Sequence, residues 1–421
     1  MATRGKLYFK GQEQHFDIPE DWNLLAQAEP REACAISDLK ASVRKALENP
    51  IGMPGLKEVI PAESKVAIIS EDQTRPSPTG AVMEPLVDML GELDVEDARI
   101  HVIIGRGTHR ETTPEEIEAK LGKRIVDRFE VSVHDVDDTD NLVLMGMTSR
   151  ETPVWINRKV AEAGLVIAIG TINPHYFAGY GGGAKLILPG VSGRESIVRN
   201  HTMIADKNAV QGKMEGNPIW EDMLEAARIA KLGMKIDLLL NTRKEVCNIF
   251  AGEVEQAQKA AVKALLDIYG LPVPRMADIT LTAGYPLETN LIQSGKAVLL
   301  ANEVTKEGGT IVLLSALDDG AGPLLYETLK EKPDPETVIQ WIAEGKASPT
   351  GGPISSMLRT LLQSKKLVVV SDGIAKEQIE DMDMMYAASI EEAIGTLSGQ
   401  YKNPDVIISP VGSSTFPYVA A

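Results

Sequence analysis

The stretch that decides the fold reads LVIAIGTINPHYFAGYGGGAKLILPGVSGRESIVRNH and runs from Leu165 to His201. Its first six residues are apolar and rich in β-branched side chains, which is typical of a buried strand in a parallel sheet. Pro174 cannot continue the ladder of a strand, so we expect a turn that places His175 at the carboxyl end of the strand. Two histidines, a lysine and clustered glycines follow the strand before the stretch ends at His201. This concentration of chemically useful residues indicates a functional loop.

The loop after this strand contains four glycines: Gly179, Gly181, Gly182 and Gly183. Glycines permit positive φ and close backbone approach, so their N–H groups could form an anion cradle that suits a phosphate. The loop is not a Walker A motif, because Ala184 stands where a glycine should precede the lysine. Leu186 also replaces the Ser or Thr that would hold magnesium. ATP hydrolysis is therefore disfavoured.

A helix is predicted after the loop, because Ser192 and Glu195 have the spacing of a capping box. On this helix Ile197, His201 and Ile204 share one face, so the imidazole should point toward the interior. Taken alone, His201 fits a packed core histidine better than a metal ligand. Its proximity in sequence to Lys185 and His175 keeps the second interpretation open.

Composition limits the classes of protein that this chain can represent. Its 421 residues predict two or three domains, and 43% hydrophobic with 24% charged residues is the balance of a globular protein. A net charge of −17 argues against binding to nucleic acid or to an anionic membrane surface. The two cysteines suggest neither a disulfide framework nor a zinc site. Without a signal peptide or a long apolar run, a cytoplasmic location is the default expectation.

Three predicted strands in the first half end in polar loops. KVAIIS (Lys65–Ser70) precedes Asp72–Arg75, RIHVII (Arg99–Ile104) precedes Thr108–His109, and the quoted strand precedes His175. Because the carboxyl ends of parallel strands share one edge of an open sheet, where ligands bind, we expect these loops to meet.

Strands and helices alternate in both halves of the chain, which indicates an α/β protein of two domains with largely parallel sheets and an active-site cleft between them. We interpret LPVP (Leu271–Pro274) as the linker. The cofactor-binding and catalytic domain is placed at residues 1–270 and a second α/β domain at 271–421. Packing of about residues 405–421 back on the first domain is left open.

In the second domain Gln293 and Lys296 lie three residues apart on a helix predicted to begin near Glu288, hence on one face. An exposed helix surface is the simpler interpretation of this pair. The alternative is a face that closes over the ligand.

The collected groups suit acid/base chemistry on an anion. His109 and His175 could each exchange a proton near neutrality, and two such groups on opposite sides of a carbon are what inversion of a stereocentre requires. Arg75 and Lys296 could hold a carboxylate. A metal could sit on His201, but one histidine is too few ligands unless a cofactor supplies the others.

The sequence resembles the nickel-dependent lactate racemase family of 2-hydroxy-acid racemases and epimerases. The resemblance covers nearly the whole chain and rests on these motifs: DQTRPSP (Asp72–Pro78), GTHRETT (Gly107–Thr113), HYFAGYGGGAKLILPG (His175–Gly190), NH (Asn200–His201) and QSGK (Gln293–Lys296).

The resemblance implies a nickel-pincer nucleotide, which is a pyridinium mononucleotide with two sulfur donors and a nickel–carbon bond. Lys185 would carry it through a covalent thioamide link, and His201 would be the protein ligand of nickel, completing a planar four-coordinate site. His109 and His175 would be the acid/base residues in a reversible hydride transfer from C2. The implied cofactor contacts are Asp72, Gln73, Thr74, Arg75, Gly182, Gly183 and Lys185. The implied substrate contacts are Arg75, Gln293 and Lys296.

The expected partners are a small 2-hydroxy acid and the cofactor-synthesis proteins that load the enzyme. Two alternatives remain: an NAD-dependent 2-hydroxy-acid dehydrogenase, disfavoured because a proper G-x-G-x-x-G unit is missing, and a non-catalytic nucleotide- or nickel-binding protein. The sequence leaves open which 2-hydroxy acid is the substrate, whether Lys185 is modified and what the oligomeric state is.

Overall fold

The computed structural model describes residues 3–60, 63–347 and 351–420, and the chain divides into two compact units. The central unit is Glu32–Ile268. The split unit combines Met1–Arg31 with Tyr269–Ala421.

The chain begins with strands of the split unit: β1 (Thr3–Phe9), β2 (Gln12–Ile18) and β3 (Asn23–Gln27). β1 and β2 pair as an antiparallel hairpin. Lys10 and Gly11 form its turn with φ of 50° and 75°, which is the left-handed geometry of a tight hairpin turn.

The central unit alternates strands with helices. Its strands are β4 (Val66–Glu71), β5 (Ile100–Gly105), β6 (Glu130–Val133), β7 (Leu142–Met147), β8 (Pro153–Asn157), β9 (Leu165–Thr171), β10 (Pro174–His175), β11 (Gly179–Tyr180), β12 (Leu232–Leu240) and β13 (Val246–Gly252). Its helices are α1 (Leu39–Glu48), α2 (Leu56–Val59), α3 (Thr79–Glu92), α4 (Pro114–Leu121), α5 (Lys123–Arg128), α6 (Arg158–Ala161), α7 (Arg194–His201), α8 (Pro218–Ile229) and α9 (Val254–Tyr269). Short 3-10 helices occupy Asp97–Arg99, Thr139–Asn141, Gly183–Leu186 and Thr202–Ala205.

The main sheet of the central unit has the strand order β13-β12-β9-β4-β5-β6. All neighbours from β12 to β6 are parallel, and β13 joins β12 antiparallel. Along β4, Val66 and Ile68 pack in one hydrophobic core, whereas Ala67 and Ile69 pack in another. The sheet is thus buried on both faces, which explains why its strands are continuous apolar runs without polar alternation.

The rest of the split unit also alternates strands with helices. Its strands are β14 (Gly270–Val273), β15 (Ala277–Ala283), β16 (Thr305–Leu314), β17 (Lys366–Val370), β18 (Met385–Ala387), β19 (Asp405–Ser409) and β20 (Phe416–Val419). Its helices are α10 (Leu291–Asn302), α11 (Leu325–Leu329), α12 (Pro335–Ala343), α13 (Gly351–Leu362), α14 (Lys376–Asp381) and α15 (Ile390–Ser398). The sheet order is β18-β17-β16-β15-β19-β3, and every neighbouring pair is parallel. The predicted fold class, α/β with largely parallel sheets, is confirmed.

The predicted division at residue 270 differs from the observed units at the N-terminus. β3 pairs with β19, and Leu7 and Phe16 share a hydrophobic core with Ile279 and Ile408, so the first 31 residues belong to the split unit. The predicted linker at 271–274 is wrong, because these residues lie in and beside β14, which pairs with β20. The described residues 405–420 contribute β19 and β20 to sheets of the split unit.

These errors have one physical cause. β3 and β19 are almost 400 residues apart in sequence. Each strand shows only its own pattern of side chains, so the sequence around either one does not indicate that the two pair. In the described ranges, no helix is both long enough and apolar enough to cross a membrane.

Candidate active site

Three loops that carry candidate residues leave the same edge of the main sheet. β9, β4 and β5 are parallel neighbours in that order, so their carboxyl ends lie side by side. Asp72–Arg75 follows β4 in the middle, and the loops with His109 and His175 follow β5 and β9 on either side. The expectation that these loops share one edge is therefore confirmed.

His109 is paired with a buried carboxylate. Its Nδ1 lies 2.6 Å from Oδ2 of Asp72, and the two side chains are 47% and 3% exposed. Oδ1 of Asp72 accepts hydrogen bonds from the amide and the hydroxyl of Thr74, at 3.1 and 2.5 Å. Burial would raise the pKa of Asp72, but the hydrogen bonds from His109 and Thr74 outweigh it and hold this pKa below its usual value. Asp72 is therefore ionised at neutral pH.

Gln73 and Arg75 complete the loop after β4. Oε1 of Gln73 accepts a hydrogen bond of 2.7 Å from the Thr112 hydroxyl, which ties this loop to the one that carries His109. Nη1 of Arg75 donates to the Thr74 hydroxyl at 3.0 Å. Burial raises the pKa of Tyr176 to about 12, and the positive charge of Arg75 opposes this rise, so Arg75 is an electrostatic neighbour of the His175 loop.

His175 lies in a small aromatic cluster. Its ring stacks on Tyr176 and meets the edge of Phe177, with 4.6 Å between centroids in both cases. The amide of Ala178 donates to Nδ1 of His175 at 3.3 Å. A neutral His175 that accepts at Nδ1 carries its proton on Nε2.

The same aromatic cluster reaches the two residues implied in cofactor binding. Phe177 meets the ring of His201 at 4.9 Å, and Nζ of Lys185 lies 5.9 Å from the Phe177 centroid. Burial and the charge of Lys185 lower the pKa of His201 to about 4, so the imidazole is neutral at pH 7. Its buried Nδ1 has no partner of good hydrogen-bond geometry among the described residues, although the Ile197 carbonyl is close enough to oppose the fall of this pKa. A neutral imidazole with an unused nitrogen retains the lone pair that a metal requires.

The helix that presents His201 begins differently from the prediction. The N-cap of α7 is Gly193, and the Ser192 hydroxyl donates instead to the Ile187 carbonyl at 2.8 Å. Glu195 accepts from the indole N–H of Trp155 at 3.0 Å. The prediction of a capping box is therefore wrong, because the Ser192 and Glu195 side chains bond to other partners and not to the backbone N–H groups at the start of α7. The buried Ile197 confirms the inward face.

The glycine loop is packed tightly from beneath. A Cβ on Gly182 would lie 2.2 Å from Oδ1 of Asp237, and one on Gly183 would lie 2.3 Å from Cδ of Gln258. Both glycines have positive φ, of 67° and 51°. The Gly183 amide donates to Asp237 at 3.0 Å. This N–H is thus bonded to a carboxylate of the protein, whereas the predicted anion cradle would need it to face a ligand. The two glycines instead allow Asp237 and Gln258 to approach closely beneath the loop that carries Lys185.

Several polar atoms around these loops have no partner among the described residues: Gln73 Nε2, Asn173 Oδ1, Asn200 Oδ1, His201 Nδ1 and Gln211 Oε1. Buried polar groups are normally satisfied, so such a concentration fits a polar ligand. Within residues 3–60, 63–347 and 351–420, no three His, Cys, Asp or Glu side chains are arranged to hold a metal ion. A metal at His201 would need donors from a cofactor, as a pincer nucleotide provides.

Sequence reasoning missed the buried charges that support the site. Lys235 and Asp237 on β12 form an ion pair of 2.6 Å with both side chains 0% exposed. Glu71 and Lys120 lie beneath the Asp72–Arg75 loop. The signal was present in KIDLLL, since charges two apart in an apolar strand point to the same buried face.

Gln293 and Lys296 belong to the split unit. They lie on α10, which begins at Leu291 with Asn290 as its N-cap. Nζ of Lys296 donates to Oε1 of Gln293 at 3.1 Å, so the two share a helix face as predicted. Their contact with a substrate stays a prediction.

Two histidines, one of them paired with a buried carboxylate, follow neighbouring strands at the carboxyl edge of a parallel sheet, which is where α/β enzymes bind their ligands. Residues 9–212 match the family model of the lactate racemase N-terminal domain, and residues 274–416 match that of the lactate racemase C-terminal domain. The chain belongs to the lactate racemase family, and it is an isomerase of the racemase type, as the sequence motifs predicted.

Individual relatives agree with this assignment. The lactate racemase of Thermoanaerobacterium thermosaccharolyticum is 33% identical over 359 residues, and that of Lactiplantibacillus plantarum is 33% identical over 360, with 84% of both chains covered in each case. The solved structure of the T. thermosaccharolyticum lactate racemase apoprotein matches with a TM-score of 0.84 and 29% identity, over 99% of this chain and 100% of that one. A Thermotoga maritima protein with 16% identity and a TM-score of 0.63 shares the fold, over 92% of this chain and 100% of that one.

Proposed function

We propose that this protein inverts the C2 stereocentre of a small 2-hydroxy acid of the lactate type, with His109 and His175 as its acid/base residues. The observation that carries the proposal is the opposite hydrogen bonding of the two imidazoles. His109 faces a carboxylate through Nδ1, whereas Nδ1 of His175 accepts from a backbone amide. The names of the relatives support lactate or a close analogue as the substrate.

His109 is arranged as a base. Because Asp72 is ionised, Nδ1 of His109 donates its proton to Oδ2, and the lone pair of the neutral ring is left on Nε2. Nε2 is then the atom that takes the hydroxyl proton of the substrate. Asp72 keeps the ring in this tautomer and stabilises the imidazolium that forms.

His175 is arranged as an acid. Its neutral form carries the proton on Nε2, because Nδ1 accepts from the Ala178 amide. This Nε2–H can donate a hydrogen bond to an oxygen on the other side of the substrate, and the imidazolium form of His175 can transfer a proton to that oxygen. A racemase needs an acid/base group on each side of the substrate. Inversion requires that the proton taken up by the group on one side can be replaced by a proton from the group on the other side.

Inversion at C2 also needs an acceptor for the hydride. When bound, a nickel-pincer nucleotide supplies reversible hydride acceptance, so no carbanion forms beside the carboxylate. Lys185 would hold it covalently, and the neutral His201 would ligate nickel. Asp72, Gln73, Thr74 and Arg75 would contact the nucleotide, with Gly182 and Gly183 holding the turn of Lys185. The carboxylate of the substrate would be held by Arg75, Gln293 and Lys296. Loading would require cofactor-synthesis proteins.

The test is intact mass and nickel content of protein produced together with the cofactor-synthesis machinery, followed by chiral analysis of 2-hydroxy acids. We expect added mass that tracks with nickel and disappears in Lys185→Ala. His109→Ala should retain nickel while its kcat falls by about 10²–10⁴-fold. The exposed His15 in β2 offers the matched control, His15→Ala, which should keep full turnover.

The outcomes separate the alternatives. Bound nickel without added covalent mass would support the assignment as a racemase and refute the covalent bond to Lys185. Full turnover in His109→Ala would refute the acid/base assignment. Loss of nickel in every preparation, with synthesis verified on another family member, would refute the cofactor assignment.

A further inference from the structure

A buried lysine lies beneath the loop that carries Arg75. Lys120, in the last turn of α4, is 8% exposed. Its Nζ donates to the backbone carbonyls of Arg75 and Ser77 at 2.9 and 3.1 Å, and to the Ser77 hydroxyl at 2.8 Å. The ammonium group thus binds the loop through main-chain atoms, where it fixes the path of the chain itself.

The charge partner of Lys120 connects this loop to a second strand end. Oε1 of Glu71 lies 3.4 Å from Nζ of Lys120 and also accepts from the hydroxyls of Ser77 and Thr171. Oε2 accepts from the Thr171 amide at 2.9 Å. Glu71 therefore joins the end of β4 to the end of β9, from which the His175 loop departs.

The position of α4 brings Lys120 to this point. Its capping box at Thr113 follows directly after the loop of His109. At its other end α4 approaches α3 so closely that a Cβ on Gly80 would lie 2.2 Å from the Leu121 carbonyl oxygen. The helix thus runs from the loop of His109 to the segment that carries Arg75, where the Lys120 side chain reaches the Arg75 carbonyl.

The arrangement is poorly explained by stability alone. Burial lowers the pKa of Lys120, and the charges of Glu71 and Asp72 oppose this effect. A buried ion pair is often no more stabilising than an apolar pair of the same shape, because the desolvation of both charges offsets their attraction. What an apolar pair would not supply is a set of donors to the carbonyls of the loop.

We propose that Lys120 and Glu71 are positioning residues that hold the Asp72–Ser77 segment, and through it Asp72 and Arg75, in the geometry required for substrate inversion. Lys120 sets the backbone at Arg75 and Ser77. Glu71 aligns that segment with the strand that leads to His175. The proposal rests on the proposed function for its catalytic part, whereas its structural part concerns the protein without cofactor.

The first experiment follows hydrogen exchange of the Thr74 and Arg75 amides in the apoprotein. Both amides bond within the loop, to Oδ1 and to the carbonyl of Asp72. In Lys120→Met they should exchange about tenfold faster or more, because the loop loses its donors. The double variant Glu71→Gln/Lys120→Met removes both charges, so it should be more stable to heat than Lys120→Met and still show the faster exchange. Lys123 lies in the next helix, α5, where its exposed side chain pairs with Asp127, and it gives the control Lys123→Met, which should exchange as wild type does.

The second experiment measures kinetics of the loaded enzyme. In both Lys120 variants KM for the 2-hydroxy acid should rise and kcat should fall, so that kcat/KM decreases by about 10–100-fold. The nickel content and the covalent mass should stay at wild-type levels. Unchanged exchange at Thr74 and Arg75 would overturn the proposal. So would a double variant that regains wild-type exchange and kinetics, because the pair would then serve only to balance charge. If the wild type has no activity on any 2-hydroxy acid, the proposed function fails while the exchange result still decides whether Lys120 holds the loop.

Discussion

The Asp72–His109 pair gives the sharpest prediction, through the single substitution Asp72→Asn. Oδ1 of Asp72 faces two donors from Thr74, so the new amide will keep its oxygen there and turn its NH₂ toward His109. Nδ1 of His109 must then accept, which moves the proton of the neutral ring to Nε2. The substitution removes the lone pair from Nε2, and with it the base, without changing the shape of the side chain at position 72.

The magnitude follows from the bonds that change. Of the three hydrogen bonds to the carboxylate, the two from Thr74 are retained and the one from His109 is reversed. Loss of a hydrogen bond to a charged group costs about 1.5–3 kcal/mol of stability. Loss of a general base lowers kcat by about 10²–10⁴-fold, and the wrong tautomer makes this loss nearly complete.

Nitrogen-15 NMR of the histidine rings in the apoprotein measures the tautomer directly, and kcat of the loaded enzyme measures its consequence. Wild type should show His109 protonated at Nδ1, and Asp72→Asn should show it protonated at Nε2. Asp135→Asn, at an exposed acid near Arg106, is the control for loss of one negative charge. A variant with the Nε2 tautomer and wild-type kcat would refute the role of His109 as base.

Two further predictions concern stability. The lowered pKa of Asp72 means that its carboxylate stabilises the fold above the unfolded value of about 3.9 and loses this contribution as pH falls through the folded pKa; the difference in unfolding free energy between wild type and Asp72→Asn should therefore be largest near neutrality and shrink in acid, and a difference that grows below pH 4 would contradict this sign. Gly183→Ala should cost about 1–2 kcal/mol for positive φ plus about 1–3 kcal/mol for crowding against Gln258. Gly308, with φ of 75° and no described heavy atom within 4 Å of an added Cβ, provides Gly308→Ala as the control for φ alone, and equal costs measured by denaturant would refute the crowding.

The sequence was sufficient for those parts of the fold whose signals are local. Apolar runs at 66–71, 100–105 and 165–171 became neighbouring buried strands, and that adjacency alone brought Asp72, His109 and His175 to one edge. Sheet geometry thus converts three local patterns into one site, because parallel strands must expose their carboxyl ends together.

The sequence was insufficient wherever a partner lies far along the chain. β3, near the start of the chain, adds to β19, near its end. The roles of Asp237 and Gln258 are equally nonlocal, since their contacts with the glycine loop cross more than 50 residues. Such contacts depend on the assembled core and have no periodicity of their own.

The buried pair beneath the glycine loop leads to the last prediction. Asp237→Asn can still accept from the Gly183 amide, but it leaves the ammonium of Lys235, which is 0% exposed, without its anion. Breaking a buried pair on one side costs about 3–5 kcal/mol. Adding Lys235→Met removes the stranded charge, so the double variant should recover most of the unfolding free energy in denaturant titrations.

The two contacts of Asp237 can then be separated. Asp237→Leu/Lys235→Met also lacks the stranded charge but offers no acceptor to Gly183, so it should be stable and yet carry less covalent cofactor at Lys185 than the Asn/Met double variant. Equal loading in both would show that the Gly183 bond does not position Lys185. An Asp237→Asn variant as stable as wild type would refute the cost assigned to the stranded charge.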